Sequence, residues 1–450
     1  MDLTITMEFL IIIACLLVGT RYGGFGLGLI SGVGLLVFAF VFHLQPGKPP
    51  IDVLLTIMSV LGCASVLQTA GGLNVMMRFA EKFLRKHPDH IIFLAPLTTW
   101  TLTVMCGTGH VVYTMFPIIY DIAIKKGIRP ERPMAVASVA SQIGICASPV
   151  SVAVVSMVAM MSKTSGFGHP ISLLEILSIG IPATLCGVIV ASLWSLRRGK
   201  DLDKDPEFQA KLQDPVEKEY IYGESATLLD QVFPKSAYYA TWIFLSAIAL
   251  VVVLGAFPEL RPVFGAADKA KPLSMNLVIQ MMMLSAGAAI LIISKVKPQE
   301  IPNGTVFKAG MVAVISIFGV AWMADTFFEA HFALLKEMLA DVVKTQPWTY
   351  ALVLFLVSKL VNSQAAALAA VVPLGLSIGV DPKVILAFLP ACYGYFVLPT
   401  YASDLACIGF DRSGTTRIGK YILNHSFIIP GLIGVGTGCM VGYLLVKMLF

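Results

Sequence analysis

Long apolar runs separated by short polar punctuation recur along the whole chain, and four of those runs carry a polar or proline-containing interruption near their middle. The uninterrupted runs cover residues 3–19, 25–42, 52–70, 172–194, 238–257, 273–293, 304–324 and 421–445. A helix rising 1.5 Å per residue needs roughly 20 apolar residues to cross the hydrocarbon layer. Each uninterrupted run is therefore read as a spanning helix.

The interrupted runs read differently. Residues 347–380 carry Ser358-Lys359-Leu360-Val361-Asn362-Ser363-Gln364 between two apolar arms, each of about 15 residues, too short to reach the far side. This predicts a re-entrant helical hairpin whose tip stops near the bilayer midplane, where open backbone is tolerated only against protein or a watery cavity. Residues 90–126 break in the same way at Cys106-Gly107-Thr108-Gly109-His110. Arg85 and Lys86 precede this second hairpin, and Lys125, Lys126, Arg129 and Arg132 follow it, so both its ends belong on the cytoplasmic side.

Residues 134–161 and 383–410 are read as broken helices. Ala147-Ser148-Pro149-Val150-Ser151 interrupts the first and Leu398-Pro399-Thr400-Tyr401-Ala402-Ser403-Asp404 the second, because proline removes a donor and clashes with the preceding turn. Residues 73–86 read as an amphipathic interfacial helix, with Val75, Met76, Phe79, Phe83 and Leu84 on one face and Arg78, Lys82, Arg85 and Lys86 available to lipid headgroups. Residues 325–344 read as a second such helix.

Taken in order, the elements make an all-α polytopic membrane protein with about ten transmembrane helices, two re-entrant hairpins and two broken helices. Residues 1–196 and 236–450 repeat one sequence of elements: three spans, an amphipathic helix, a hairpin, a broken helix and a final span. Residues 197–235, the one long polar stretch, form a cytoplasmic connector. The first half starts outside and ends inside, the second does the reverse, and both termini are expected on the periplasmic side. Such an inverted-topology repeat marks a secondary transporter, with the binding site at its broken elements.

Composition agrees with this. Only 13% of the 450 residues are charged and 57% are hydrophobic, where a soluble domain has about 25% charged residues. The net charge of +5 comes from basic residues in short loops, which membrane topology explains without a nucleic-acid partner. The eight cysteines contain no CxxC pair, and the seven histidines show no HxxxH or HExxH spacing. Neither a metal site nor a cofactor is expected. The first helix has no basic leader and no small-residue cleavage site, and reads as a retained span.

The candidate site residues are those at the four interruptions. Gly107, Thr108, Gly109 and His110 form one tip, and Asn362, Ser363 and Gln364 the other. Ser148, Pro149 and Ser151 mark the first break, and Thr400, Tyr401, Ser403 and Asp404 the second. Half-helix N-termini present free N–H groups and partial positive charge, which suits a carboxylate. A small anion with an acceptor at each end matches two facing nests of donors. Thr108, Ser148, Ser151 and Thr400 have a plainer alternative, satisfying carbonyls of their own helices. Unpaired amides at Asn362 and Gln364 would cost several kcal/mol in lipid. Lys359 and Asp404 are intramembrane ionisable groups, functional by default or paired with each other. His110 is either a proton carrier or substrate donor, or a tip residue reaching water.

Several motifs resemble the Dcu family of anaerobic C4-dicarboxylate transporters of Gram-negative bacteria. They are Leu44 to Pro50, Cys106 to Thr114, Ile128 to Pro133, Ser358 to Ala370, Leu398 to Leu405 and Phe410 to Thr416. The segments Gly199 to Asp205 and Tyr222-Gly223-Glu224 resemble its DcuB branch, while Ala402 stands where that pattern has proline. The resemblance implies antiport of fumarate, malate or aspartate against succinate across the bacterial inner membrane, not an enzymatic reaction. It also implies a co-sensor role with a DcuS-type sensor kinase, for which Lys359, Thr400 and Asp404 are the matching candidates. An ion-transporter-like fold with elevator movement and a homodimer follows by analogy. The alternative reading is a cation- or proton-coupled organic anion symporter on the same fold.

Overall fold

Backbone groups in an apolar run must find partners within their own segment, and the chain folds accordingly into helices joined by short turns. The computed structural model describes residues 3–22, 25–161, 171–223, 227–265, 271–331, 334, 346–399, 401–419 and 424–449. The first half contains α1 (Leu3–Tyr22), α2 (Gly26–Phe40), α3 (Ile51–Thr69), α4 (Gly72–Lys86), α5 (Ile91–Cys106), α6 (Val112–Lys125), α7 (Glu131–Ile143), α8 (Val152–Met161) and α9 (Leu173–Ser195). The short helices α10 (Pro206–Lys211) and α11 (Pro215–Tyr222) lie in the connector. Then come α12 (Lys235–Ala256), α13 (Met275–Ser294), α14 (Thr305–Ala330), α15 (Trp348–Val361), α16 (Gln364–Ser377), α17 (Pro382–Ala387), α18 (Ala402–Phe410) and α19 (Ile428–Leu449). A two-residue antiparallel pairing, Val263–Phe264 with Lys271–Pro272, lies between α12 and α13.

Eight helical stretches among the described residues are long and apolar enough to cross a membrane. One of them is a hairpin arm: a 3-10 turn at Pro88–His90 extends α5 to a 19-residue stretch, whereas α6 has 14 residues. Both arms of the other hairpin, α15 and α16, are 14 residues long.

Local chemistry sets several helix starts. Ser172 and Glu175 form a capping box at α9, satisfying two N–H groups that the first turn cannot pair. Asp205, Asp214 and Asp381 cap α10, α11 and α17, each followed by proline at the first helical position, where its missing donor costs nothing. Packing then depends on close helix crossings. A Cβ on Gly28 would lie 2.1 Å from the carbonyl oxygen of Ile315, and one on Gly187 would lie 2.3 Å from that of Gly434. Only glycine permits α2 to meet α14, and α9 to meet α19, at those distances.

Some boundaries differ from the expectation. The helix read as ending at residue 324 continues as α14 to Ala330, because Ala324, Thr326 and Phe327 are buried against their neighbours. Most of the second interfacial helix expected at 325–344 lies outside the described residues. The last span starts at Ile428, not near residue 421, because Asp411 to Thr416 and His425 to Phe427 are folded into the protein.

The basic face of α4 is also a correction. Arg85 binds Glu81 at 2.9 Å and Asp121 at 2.8 Å, and Arg78 donates to the Leu229 carbonyl at 3.0 Å. These guanidiniums hold α4, α6 and the connector together instead of meeting headgroups, while Phe79 and Phe83, expected on the apolar face, are exposed together with Lys82 and Lys86. Charge spacing along a helix cannot distinguish the two uses.

The connector docks on the polar motifs that flank the broken helices. Glu131 accepts from Arg129 at 2.9 Å, Arg198 at 2.8 Å and Ser426 at 2.6 Å. Arg129 also reaches Asp205 at 2.5 Å, and Arg412 donates to the Gly223 carbonyl and stacks over Tyr120. Residues from α7, the connector and the 411–426 loop thus share one network of charged hydrogen bonds, the strong class of such bonds.

Candidate functional site

The two hairpin tips are built alike. Helix α5 ends at Gly107, which is left-handed with φ +73°, and a Cβ there would lie 2.6 Å from the carbonyl oxygen of Val150. Thr108 follows in extended conformation, and its Oγ1 accepts from the His110 N–H at 3.3 Å. Helix α15 ends at Asn362, left-handed with φ +48°, a conformation that asparagine tolerates better than most residues. Ser363 follows, extended, and its Oγ accepts from the Ala366 N–H at 3.3 Å. In both places a left-handed residue stops one arm and a hydroxyl caps the next.

The two breaks resemble each other less closely. After α7 a 3-10 turn, Gly144–Ala147, runs into extended Ser148, and α8 starts at Val152. Ser148 Oγ accepts from the Val150 N–H at 3.3 Å; Ser151 Oγ accepts from Val154 N–H at 3.1 Å and donates to the Ile145 carbonyl at 2.7 Å. The second break is longer than expected. Helix α17 stops at Ala387, and 3-10 turns at Leu389–Cys392 and Tyr395–Val397 precede α18.

These four interruptions surround one cavity of about 560 Å³, within the usual range for small-ligand sites. Residues from the start of four helices line it: Gly109 and His110 just before α6, Val152 and Ala153 of α8, Ser363 to Ala365 of α16, and Tyr401 and Ala402 of α18. Each start carries N–H groups with no partner in its own helix and the positive end of the helix dipole. Val60, Ala64, Ala309 and Ala313, on α3 and α14, supply part of the apolar wall. No Lys, Arg, Asp or Glu appears among the described lining residues, and His110 stacks on Tyr113 with ring centroids 5.7 Å apart. An anion here would meet dipoles, amides and hydroxyls, not formal ion pairs.

A polar triangle locks the tip of the second hairpin to both breaks. Gln364 Nε2 donates to the main-chain carbonyl of Gln142 at 2.7 Å and to the Tyr395 hydroxyl at 3.3 Å. The Tyr395 hydroxyl donates in turn to Gln142 Oε1 at 2.8 Å. Lys359 Nζ donates to Asn362 Oδ1 at 3.1 Å and to the carbonyls of Tyr395 and Leu398 at 3.3 and 3.4 Å. It therefore holds the oxygen end of the Asn362 amide and compensates carbonyl ends at the second break. Asp404 Oδ1 accepts from Ser138 Oγ at 2.8 Å, while Asp404 Oδ2 and Ser403 Oγ are buried with no hydrogen-bond partner among the described residues.

Of the residues singled out in the sequence, Gly107, Thr108, Gly109, His110, Asn362, Ser363, Gln364 and Tyr401 line the cavity. Ser148, Pro149, Ser151, Ser403 and Asp404 are buried behind its wall, and Thr400 lies outside the described residues. Ser148 and Ser151 both bond to nearby backbone: Ser148 Oγ accepts from an N–H, and only Ser151 donates to a carbonyl. Gln142 and Tyr395 line the cavity without having been singled out. Gln142 ends the stretch Ser138-Val139-Ala140-Ser141-Gln142, where two serines and an amide interrupt an apolar run, and that was the available signal. Among the described residues no group of His, Cys, Asp and Glu is arranged to hold a metal ion.

The family model described as anaerobic C4-dicarboxylate membrane transporter matches residues 4–450. The anaerobic C4-dicarboxylate transporter DcuB of Escherichia coli O157:H7 is 56% identical over 98% of this chain and 98% of its own length. The C4-dicarboxylate transporter DcuA of Wolinella succinogenes is 36% identical over 99% of this chain and 100% of its own. Two solved transporters share the fold at low identity. The Alcanivorax borkumensis YdaH transporter aligns with a TM-score of 0.55 at 15% identity, covering 92% of this chain and 88% of that one. Neisseria gonorrhoeae MtrF aligns at 0.53 and 14%, covering 92% and 84%.

Proposed function

This chain belongs to the anaerobic C4-dicarboxylate membrane transporter family, and on that footing we propose that its central cavity carries C4-dicarboxylate dianions across the bacterial inner membrane by antiport. Fumarate, malate or aspartate moves one way and succinate the other. The observation that carries the reading is the convergence of four helix N-termini on one cavity with no Lys or Arg among its described lining residues. Such a site binds a dianion through preorganised donors, and an empty one leaves those donors uncompensated in a low-dielectric wall, so the loaded carrier crosses more readily than the empty one. That asymmetry favours exchange over one-way flow.

In this reading the two hairpins re-enter from opposite faces, the halves are inverted repeats, both termini are periplasmic, and the cavity moves as a unit against the remaining spans. The proposal extends to association with a DcuS-type sensor kinase and to a homodimer, tested by co-purification and by the mass of the solubilised particle. The binding step is tested by titrating purified protein with succinate, fumarate and a monocarboxylate of equal length, following heat or thermal unfolding. Dicarboxylates are expected to bind and stabilise and butyrate to do neither. Equal responses to butyrate and succinate would remove the two-ended anion site.

A further inference from the structure

A second cavity, of about 480 Å³, lies between α4, α5 and α12, on the side of the first hairpin that faces α12. Phe79, Phe83, Leu94, Leu102, Trp242 and Leu245 line it, and its rim is exposed: Phe79 is 61% and Trp242 69% accessible. Three of its four hydroxyls, all but that of Thr98, have partners among the described residues. Thr101 donates to the Leu97 carbonyl at 2.9 Å, Thr241 to the Ala237 carbonyl at 2.9 Å, and the Tyr238 hydroxyl accepts from Arg78. A polar metabolite would find little to bind there, whereas an apolar chain would lose nothing by entering.

The exposed face of α4 adds a charge preference. Phe79 and Lys82, and Phe83 and Lys86, are three residues apart, Phe79 and Phe83, and Lys82 and Lys86, four apart, and all four are exposed. Residues so spaced share one helix face. Arg85 is engaged by carboxylates and Arg78 by a main-chain carbonyl, whereas neither lysine is engaged by a carboxylate among the described residues. An apolar crevice therefore opens to the exposed surface beside the helix face that carries two available ammonium groups.

We propose that this crevice holds one acyl chain of an anionic bilayer phospholipid, with the headgroup phosphate on Lys82 and Lys86. Apolar burial supplies the attraction for the chain, and the lysines select an anionic headgroup over a zwitterionic one. The bound lipid fills the seam between the first hairpin and α12.

Native mass spectrometry of the purified protein, titrated separately with phosphatidylglycerol and phosphatidylcholine of matched chains, tests the proposal. Phosphatidylglycerol is expected to be retained preferentially. Replacing both lysines (Lys82→Gln with Lys86→Gln) should reduce that preference roughly thirtyfold, each ammonium near the surface contributing about 1 kcal/mol. Thr101→Phe, which places a ring in the crevice, should weaken both lipids together. Equal retention of the two lipids by the unmodified protein would overturn the proposal. So would a preference that the lysine pair does not change, or a second copy of the chain lost on Thr101→Phe with no lipid adduct.

Discussion

Gln364 Nε2 donates to the main-chain carbonyl of Gln142 at 2.7 Å, joining the tip of the second hairpin to the end of α7 across 222 residues of sequence. Tyr395 closes the triangle at the other break. Replacing Gln364 by Leu leaves the Gln142 carbonyl with only the Gly144 N–H among the described residues and removes a buried hydrogen bond worth about 0.5–1.5 kcal/mol. Gln364→Leu is expected to lower the unfolding temperature of detergent-solubilised protein and to weaken succinate binding. Tyr395→Phe, which removes one hydroxyl, should do both more mildly. A Gln364→Leu protein as stable as the original would show that the triangle holds nothing.

Asn362 combines two properties that substitution can separate. Its φ of +48° suits asparagine or glycine, and it lines the cavity while Lys359 holds its amide oxygen. Asn362→Gly keeps the turn and removes the amide, so succinate affinity should fall about tenfold, the loss of a hydrogen bond worth about 1.4 kcal/mol, with stability nearly unchanged. Asn362→Ala adds about 1 kcal/mol of backbone strain and should lose stability as well. Thr108→Ala is expected to weaken affinity by a similar factor. Unchanged succinate binding in both Asn362→Gly and Thr108→Ala would place the ligand elsewhere.

Glycine pairs mark where helices touch. A Cβ on Gly28 would lie 2.1 Å from the Ile315 carbonyl oxygen, whereas one on Gly32, a turn away on α2, meets nothing within 4 Å. Gly28→Leu should destabilise by about 1–3 kcal/mol, the usual cost of overpacking, and Gly32→Leu by much less. Thermal unfolding of the two variants side by side checks this; equal losses would contradict the crossing of α2 with α14.

The two hairpin tips were legible because Gly107-Thr108-Gly109-His110 and Asn362-Ser363-Gln364 interrupt apolar runs with groups that lipid cannot accommodate. The extent of the second break was not. Leu389 to Cys392 and Tyr393 to Val397 are almost wholly apolar, so their departure from α-helix leaves no polar trace, and Tyr395 was missed with them. Ser148 and Ser151 sat at a genuine break, but spacing cannot reveal whether a hydroxyl faces a cavity or its own backbone. Arg78 and Arg85 could not be assigned for a related reason: their partners, the Leu229 carbonyl and Asp121, come from other elements of the chain.

The docked connector should confer an acid-sensitive part of the stability. Burial opposes ionisation of Asp205, but the Arg129 guanidinium and the Phe208 and Glu207 N–H groups outweigh it and hold the carboxyl below its ordinary value. The folded chain therefore binds that proton less readily than the unfolded chain. The contribution is present above about pH 4 and is lost as pH falls through the lower folded value. Asp205→Asn should reduce stability at pH 7 and flatten the fall in unfolding temperature below about pH 4. An acid limb identical to that of the unmodified protein would assign the sensitivity to other groups.

Exchange itself is measured most directly by uptake of labelled succinate into proteoliposomes containing the purified protein, with and without fumarate inside. Internal fumarate is expected to accelerate entry strongly and to leave in step with the succinate taken up. Uptake at the same rate into empty vesicles, driven instead by an imposed cation or proton gradient, would contradict antiport and leave the symport reading in its place.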